Sequence, residues 1–331
     1  MALRFSPAPR VVGDWRLELA QSLTTFEDLE RVIPFSPRER EKVREVCRLF
    51  PPLVTPFLLS LMDPAHSMDP VRLQVVPSPV ELEGPGMEDP LGEEDHSPFP
   101  GAVHRYENRL LVVTTNRCAL HCRYCFRKRN WKRPPFHFTS WRILESYLKA
   151  HPQVEDLLIS GGDPLLLPEE GLERLLSLAR SSDNIKVVRI GTRVPVVLPS
   201  RVDKGLLDLL ETHAPLWICL HVNHPRELTE EMYQAVVALS RAGCALVSQT
   251  VLLKGVNDSP DTLALLFTHL LSMGVKPYYL FQCDPAPGTA HFRVDMEEGR
   301  RIMTSLWGRV SGLAYPHYAM DLPGGGGKVL L

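Results

Sequence analysis

The sequence predicts an α/β fold built as a partial (β/α)6, TIM-like barrel with an N-terminal helical appendage. Three observations carry this expectation. From residue 109 onward, six apolar, β-branched runs alternate with six helix-like segments. Polar and special residues gather just after the ends of those runs. The first hundred residues follow another pattern, two helical stretches and then a proline- and acid-rich segment. Strands alternating with helices point to a parallel sheet with crossover helices. A barrel builds its site at the carboxyl ends of many strands, whereas a doubly wound sheet collects ligands around one switch point. Here nearly every unit contributes, and six units make the barrel incomplete.

In chain order, residues 1–14 carry Arg4 and Arg10 but no apolar core, so no signal peptide is expected. Helices are expected at 15–32 and 37–50; the second opens with Ser36-Pro37-Arg38-Glu39, which offers an N-cap, a proline at the first helical position and a capping-box acid. Residues 51–100, including Asp89-Pro90-Leu91-Gly92-Glu93-Glu94-Asp95, read as a long wrapping segment. Strands are expected at 110–114, 154–160, 186–191, 216–222, 245–253 and 276–281, and helices at 140–150, 169–180, 202–212, 227–242, 260–273 and 296–309. The expected division is a helical and wrapping segment over 1–100, the partial barrel over 101–310 and a C-terminal segment over 311–331.

At 331 residues and 44% hydrophobic, the chain can bury a full core. A net charge of −2 without a basic tail gives nucleic-acid binding no support. Apolar runs such as 263–271 are broken by Thr268 and His269 and fall short of the roughly 18–20 residues of a membrane span, so a cytoplasmic protein is expected. The seven cysteines are odd in number and lack paired spacing, which argues against a disulfide framework.

Three of those cysteines, Cys118, Cys122 and Cys125, fall within eight residues as C-x3-C-x2-C, just after the first strand. Three thiolates on one short loop can hold three irons of a [4Fe–4S] cluster and leave the fourth open to a small molecule. A structural zinc site would want a fourth ligand, usually from a second, distant pair, and no distant C-x2-C exists. At the other end, Pro323-Gly324-Gly325-Gly326-Gly327-Lys328 is no P-loop, because Leu322 and Val329 stand where that motif needs Gly and Ser or Thr. A flexible tail is the alternative; the apolar and aromatic 314–321 argues that the chain is packed up to the glycines.

The cysteine spacing, with Tyr124 just before the last cysteine, resembles the radical S-adenosylmethionine superfamily. Ser160-Gly161-Gly162-Asp163-Pro164 resembles its strand-two motif, which implies S-adenosylmethionine contacts at Gly161, Gly162 and Asp163. The glycine-lysine terminus, together with Asp95-His-Ser-Pro-Phe-Pro-Gly-Ala-Val-His-Arg-Tyr106, resembles the lysine 2,3-aminomutase family over most of the chain. That resemblance implies a pyridoxal 5′-phosphate Schiff base on Lys328, borne on a mobile glycine tether. It implies cofactor contacts from Arg105, Tyr106, Arg109 and Gln249, and a substrate-carboxylate clamp at Arg127. Asp284 and Asp321 match two acids that hold the substrate ε-ammonium, so L-lysine rather than glutamate is the implied substrate and β-lysine the product. The partners implied are the amino acid, a one-electron reductant such as flavodoxin or ferredoxin, and a second copy of the chain. Ser259 follows Asp258 where longer relatives place a zinc-binding cysteine, so structural zinc is not expected. The short length and N-terminal helices also resemble the branch that supplies β-lysine for elongation factor P, the alternative role.

Overall fold

A computed structural model describes residues 13–331; the reading of residues 1–12 as no signal peptide lies outside them. Residues 13–100 form five α-helices, α1 (Trp15–Ala20), α2 (Phe26–Glu30), α3 (Pro37–Leu49), α4 (Pro56–Ser60) and α5 (Pro70–Val75). The expected helix at 15–32 is broken because Leu23 leaves it to pair with Val54, each N–H donating to the other's carbonyl at 2.9 and 3.1 Å. The Ser36 capping box forms as expected and starts α3. Residues 51–100 do more than wrap: Phe57, Leu58, Val71 and Val75 are fully buried in the same apolar core as the strands.

The barrel begins with a hairpin, β1 (Ala102–Tyr106) and β2 (Arg109–Val113), and continues through α6 (Trp141–Ala150), β3 (Asp156–Ser160), α7 (Glu169–Ser181), β4 (Val187–Thr192), α8 (Val194–Val197) and α9 (Lys204–Thr212). It ends with β5 (Leu216–His221), α10 (Glu230–Arg241), β6 (Cys244–Leu252), α11 (Pro260–Ser272), β7 (Lys276–Gln282), α12 (Met296–Leu306), β8 (His317–Leu322) and β9 (Gly327–Leu330). Local chemistry sets these bounds. Asp203, Thr229, Ser259 and Asp295 cap α9, α10, α11 and α12 with their side chains, satisfying N–H groups that the helix itself leaves open.

Among the described residues the sheet has nine strands in sequence order, parallel from β2 to β8, with the antiparallel β1 and β9 at its ends. All six expected strands are present. β1, β8 and β9 were not among the expected strands; they are short and polar at one end, and they gain their order from a neighbour. The result is the partial barrel of β2–β7 extended by β1 at one edge and by the β8–β9 hairpin at the other. Side chains bridge those edges: Arg105 of β1 meets Asp321 of β8 at 2.6 Å, and the Lys328 N–H of β9 donates to the Tyr106 hydroxyl at 2.8 Å. No described helix is long and apolar enough to cross a membrane.

Candidate active site

Period-two alternation along the strands builds the site. On β2, Leu110 and Val112 are buried while Arg109 and Leu111 line a central cavity of about 350 Å³. On β4, Val188 and Ile190 are buried while Arg189 and Gly191 line it, and on β7 Leu280 is buried between Tyr279 and Phe281 of the lining. Cys118, Cys122, Cys125, Gly161, Gly162, Asp163, Arg127, Gln249, Asp284, Asp321 and Lys328 all reach the same cavity, as do Arg105, Tyr106 and Arg109. Every residue expected at the site is therefore in one place.

The cysteine loop leaves β2 and is pressed against the end of β3. A Cβ on Gly161 would lie 2.5 Å from the Thr115 carbonyl oxygen, and one on Gly162 would lie 2.1 Å from that of Arg117. The paired glycines thus serve the close approach of two protein backbones. Asp163 is likewise engaged by the protein: its carboxylate accepts from the Thr192 hydroxyl at 2.7 Å and from the N–H groups of Leu165, Arg193 and Val194. Asp163 therefore clamps the ends of β3 and β4 while lining the cavity. Burial still lifts its carboxyl to about 6. His121, between the cysteines, donates Nδ1–H to the Pro51 carbonyl at 2.8 Å and stacks on Trp131, so its ring serves the loop.

All three cysteines are free thiols. Burial pushes Cys118 well up and Cys125 up to about 11. Donors nevertheless point at sulfur: Arg193 Nη1 lies 2.9 Å from Cys122 Sγ, and the Arg127 N–H 3.3 Å from Cys125 Sγ. Such donors suit sulfurs that carry negative charge. Among the described residues no three His, Cys, Asp or Glu side chains converge as on a single metal ion. A four-iron cluster, which gives each thiolate its own iron, needs no such convergence. Arg193 Nε is buried without a partner among the described residues, a spare donor at the cavity wall.

The segment before the barrel supplies the counter-charges. Glu81 accepts from Arg123 Nε at 2.9 Å, Arg123 Nη2 at 2.7 Å and Lys128 Nζ at 2.9 Å, all fully buried. Arg129 meets Asp89 and Glu93 at 3.0 and 3.1 Å. Arg127 gives Nε and Nη2 to the two oxygens of Glu93, the shortest contact being 2.6 Å, and Nη1 to the Gly161 carbonyl and Ser160 hydroxyl. The Arg-Lys-Arg run at 127–129 is therefore an interior feature, and its fork at 127 already holds a carboxylate of the protein itself.

Lys328 sits on a hairpin whose turn is the glycine run expected as its tether. Asp321 and Lys328 are register partners across β8 and β9, and the turn between them uses positive φ at Gly324, Gly325 and Gly327, which side-chain-bearing residues rarely adopt. Lys328 Nζ lies 3.9 Å from Asp321 and over the rings of Tyr279 and Phe281 at 4.4 and 4.2 Å. Burial lowers its amine to about 8; Asp321 opposes this and Arg109, Arg189 and Arg105 reinforce it. Arg189 was not expected from sequence. With Arg109 it flanks Asp156, at 2.7 and 3.5 Å, so this end of the cavity gathers Arg105, Arg109, Arg189 and Lys328 against two acids. Its odd-numbered parity on β4, shared with Gly191, is the signal that would have found it.

Asp284, just past β7, makes no hydrogen bond or ion pair with its carboxylate among the described residues. Burial, with Asp321 nearby, pushes its carboxyl up to about 7 although Lys328 and Arg105 pull it down. Asp321 has two cations of the protein beside it, Arg105 and Lys328. Gln249 lines the cavity beside His221 in the β5–β6 register.

A three-cysteine loop after the first parallel strand of a partial barrel defines a class, and residues 112–266 match the family described as Radical SAM superfamily. The chain is 43% identical over 325 residues to the putative L-lysine 2,3-aminomutase of Aquifex aeolicus, covering 96% of this chain and 87% of that one. It is 40% identical over 320 residues to L-lysine 2,3-aminomutase of Clostridium subterminale (96% and 77% covered). It is 37% identical over 322 residues to glutamate 2,3-aminomutase of Clostridioides difficile (96% and 76% covered). The chain belongs to the lysine 2,3-aminomutase family of radical S-adenosylmethionine enzymes.

Proposed function

We propose that this isomerase converts L-lysine to β-lysine by moving the 2-amino group to carbon 3, in the cytoplasm, with flavodoxin or ferredoxin as electron donor. The observation that carries the choice of lysine is Asp284, a half-buried carboxylate without a hydrogen-bond partner facing the cavity, 37 residues before Asp321 in the chain and close enough to feel its charge. A site so built accepts a cation and repels the side-chain carboxylate of glutamate. An anaerobic assay offering L-lysine and L-glutamate side by side, with chiral product analysis, tests this; preference for glutamate would overturn the assignment of Asp284 and Asp321.

The residues fit the cofactors by their chemistry. Cys118, Cys122 and Cys125 would hold a [4Fe–4S] cluster, with S-adenosylmethionine against the Gly161–Gly162 loop. Arg105, Tyr106, Arg109 and Gln249, joined by Arg189, would hold pyridoxal 5′-phosphate, since an excess of cations suits a phosphate. When bound, the cluster and S-adenosylmethionine supply hydrogen abstraction from an unactivated carbon, and pyridoxal phosphate supplies an aldehyde that carries the migrating nitrogen. Lys328, with an amine near 8, has a far larger neutral fraction at neutral pH than an exposed lysine, as a nucleophile toward an aldehyde requires. Asp321 Oδ2, 3.9 Å from that nitrogen, is a counter-charge to it when it is protonated. Apolar and aromatic walls, Leu111, Leu158, Tyr279 and Phe281 among them, keep water from the reacting carbons.

Asp284→Asn is expected to raise the KM for lysine about 10²-fold, the effect of leaving a buried ammonium unpaired. The same change should stabilise the ligand-free protein above neutrality. A carboxyl raised to about 7 contributes stability below its ordinary pKa, and that contribution is lost as pH rises through 7, where the ionised group lies half-buried without a hydrogen-bond partner. Melting curves at pH 8 should therefore favour the Asn variant, and the difference should close by pH 5. Arg127 is the proposed clamp for the substrate carboxylate. Lysine must exchange for Glu93 on that fork, so Glu93→Gln, a weaker occupant, is expected to lower KM several-fold. An unchanged KM in steady-state kinetics would remove the exchange.

A further inference from the structure

We propose that Arg193 is a positioning residue that sets the reduction potential of the iron–sulfur centre on the Cys118–Cys125 loop, with Glu227 acting on it in the opposite sense; the inference rests on the cluster assignment above. Arg193 follows β4 and is 6% exposed. Its Nη1 donates to Cys122 Sγ at 2.9 Å and to the Tyr124 hydroxyl at 2.5 Å, and its Nη2 to Gln74 Oε1 at 2.8 Å and Glu227 Oε2 at 3.1 Å. Four acceptors from three separate segments leave the guanidinium one orientation, and that orientation places it on a cluster ligand.

The acceptors are themselves held. The Tyr124 hydroxyl receives Asn223 Nδ2 at 2.7 Å as well as Arg193, so its own hydrogen goes to His221 Nε2 at 3.0 Å. Gln74 Nε2 donates to Glu227 Oε1 at 2.7 Å, and Gln74 Oε1 also receives Asn223 Nδ2 at 3.0 Å. Gln74, Asn223 and Glu227 are fully buried. A hydrogen bond from a fixed cation to a cluster sulfur stabilises the reduced, more negative state and raises the potential. Burial leaves that charge poorly screened. The Glu227 carboxylate behind the guanidinium offsets part of it, so the two side chains form an opposed pair.

The test uses the full chain, reconstituted anaerobically with iron and sulfide, without S-adenosylmethionine. Iron content is measured first; the cluster is then titrated with reductant and followed by absorbance and electron paramagnetic resonance. At parental iron content, Arg193→Gln is expected to titrate at a more negative potential and Glu227→Gln at a more positive one, with Arg193→Lys between Arg193→Gln and the parent. Should Arg193→Gln fail to fold because Glu227 is left buried and unpaired, Glu227→Gln carries the test. Fully loaded variants that titrate with the parent would overturn the proposal. So would variants that fold by circular dichroism yet lose their iron, since Arg193 would then be a scaffold for the loop. A parental chain that takes up no iron would instead overturn the cluster assignment itself.

Discussion

Lys328→Ala is expected to abolish lysine aminomutation, lowering turnover by at least ~10³-fold, as removal of a nucleophile from a cooperating set does. The same variant should lose the visible absorption of lysine-bound pyridoxal phosphate while keeping its iron content, because the cysteines lie on another element of the fold. The size of the effect follows from how Lys328 is held. Its amine is lowered by burial, paired across the hairpin with Asp321 and set over two aromatic rings, a setting that no neighbouring side chain can reproduce. Lys328→Arg tests the chemistry against the charge: it can keep the pairing with Asp321, yet its guanidinium stays protonated and cannot attack an aldehyde. Turnover within about tenfold of the parent in either variant would take Lys328 out of the reaction.

The second large effect concerns stability. Glu81→Ala strips Arg123 and Lys128 of their shared carboxylate and leaves two buried cations on the cysteine loop. Breaking a buried pair in this way costs about 3–5 kcal/mol, a large share of the ~5–15 kcal/mol that holds a domain together. Urea unfolding of the ligand-free chain should show the loss, and iron uptake should fall with it. The pH dependence has a definite sign. Burial resists ionisation of Glu81, but Arg123 and Lys128 outweigh it and hold the carboxyl below its ordinary 4.5. Its contribution is therefore present above that value and lost as pH falls through the lowered one. Parental stability should drop in acid at a point where the Glu81→Ala protein, already without the pair, changes less.

Much of this site was legible before the fold was known. The spacing of Cys118, Cys122 and Cys125, their place after the first strand, and the positions of Asp284, Asp321 and Lys328 all led to one cavity. Arg189 and Glu93 were not found. Arg189 lay inside an apolar run whose two faces could be told apart only by parity. Glu93 lay in an acidic stretch that read as a wrapping segment, since nothing nearby in sequence names Arg127 as its partner.

The sequence by itself determined the alternation of strands and helices, the cysteine loop and the helix caps, because each is a local pattern: a period, a spacing, a side chain reaching its own backbone. Tertiary structure alone decided what depends on contacts between distant segments. Four glycines became a hairpin turn once β9 found β8, and Gly161 and Gly162 proved necessary because another backbone passes within van der Waals reach. An acid-rich lead-in became the set of counter-ions for Arg123, Arg127, Lys128 and Arg129. A buried charge must find its opposite in space, and the chain brings that partner from 34 to 47 residues away, beyond the reach of any local rule.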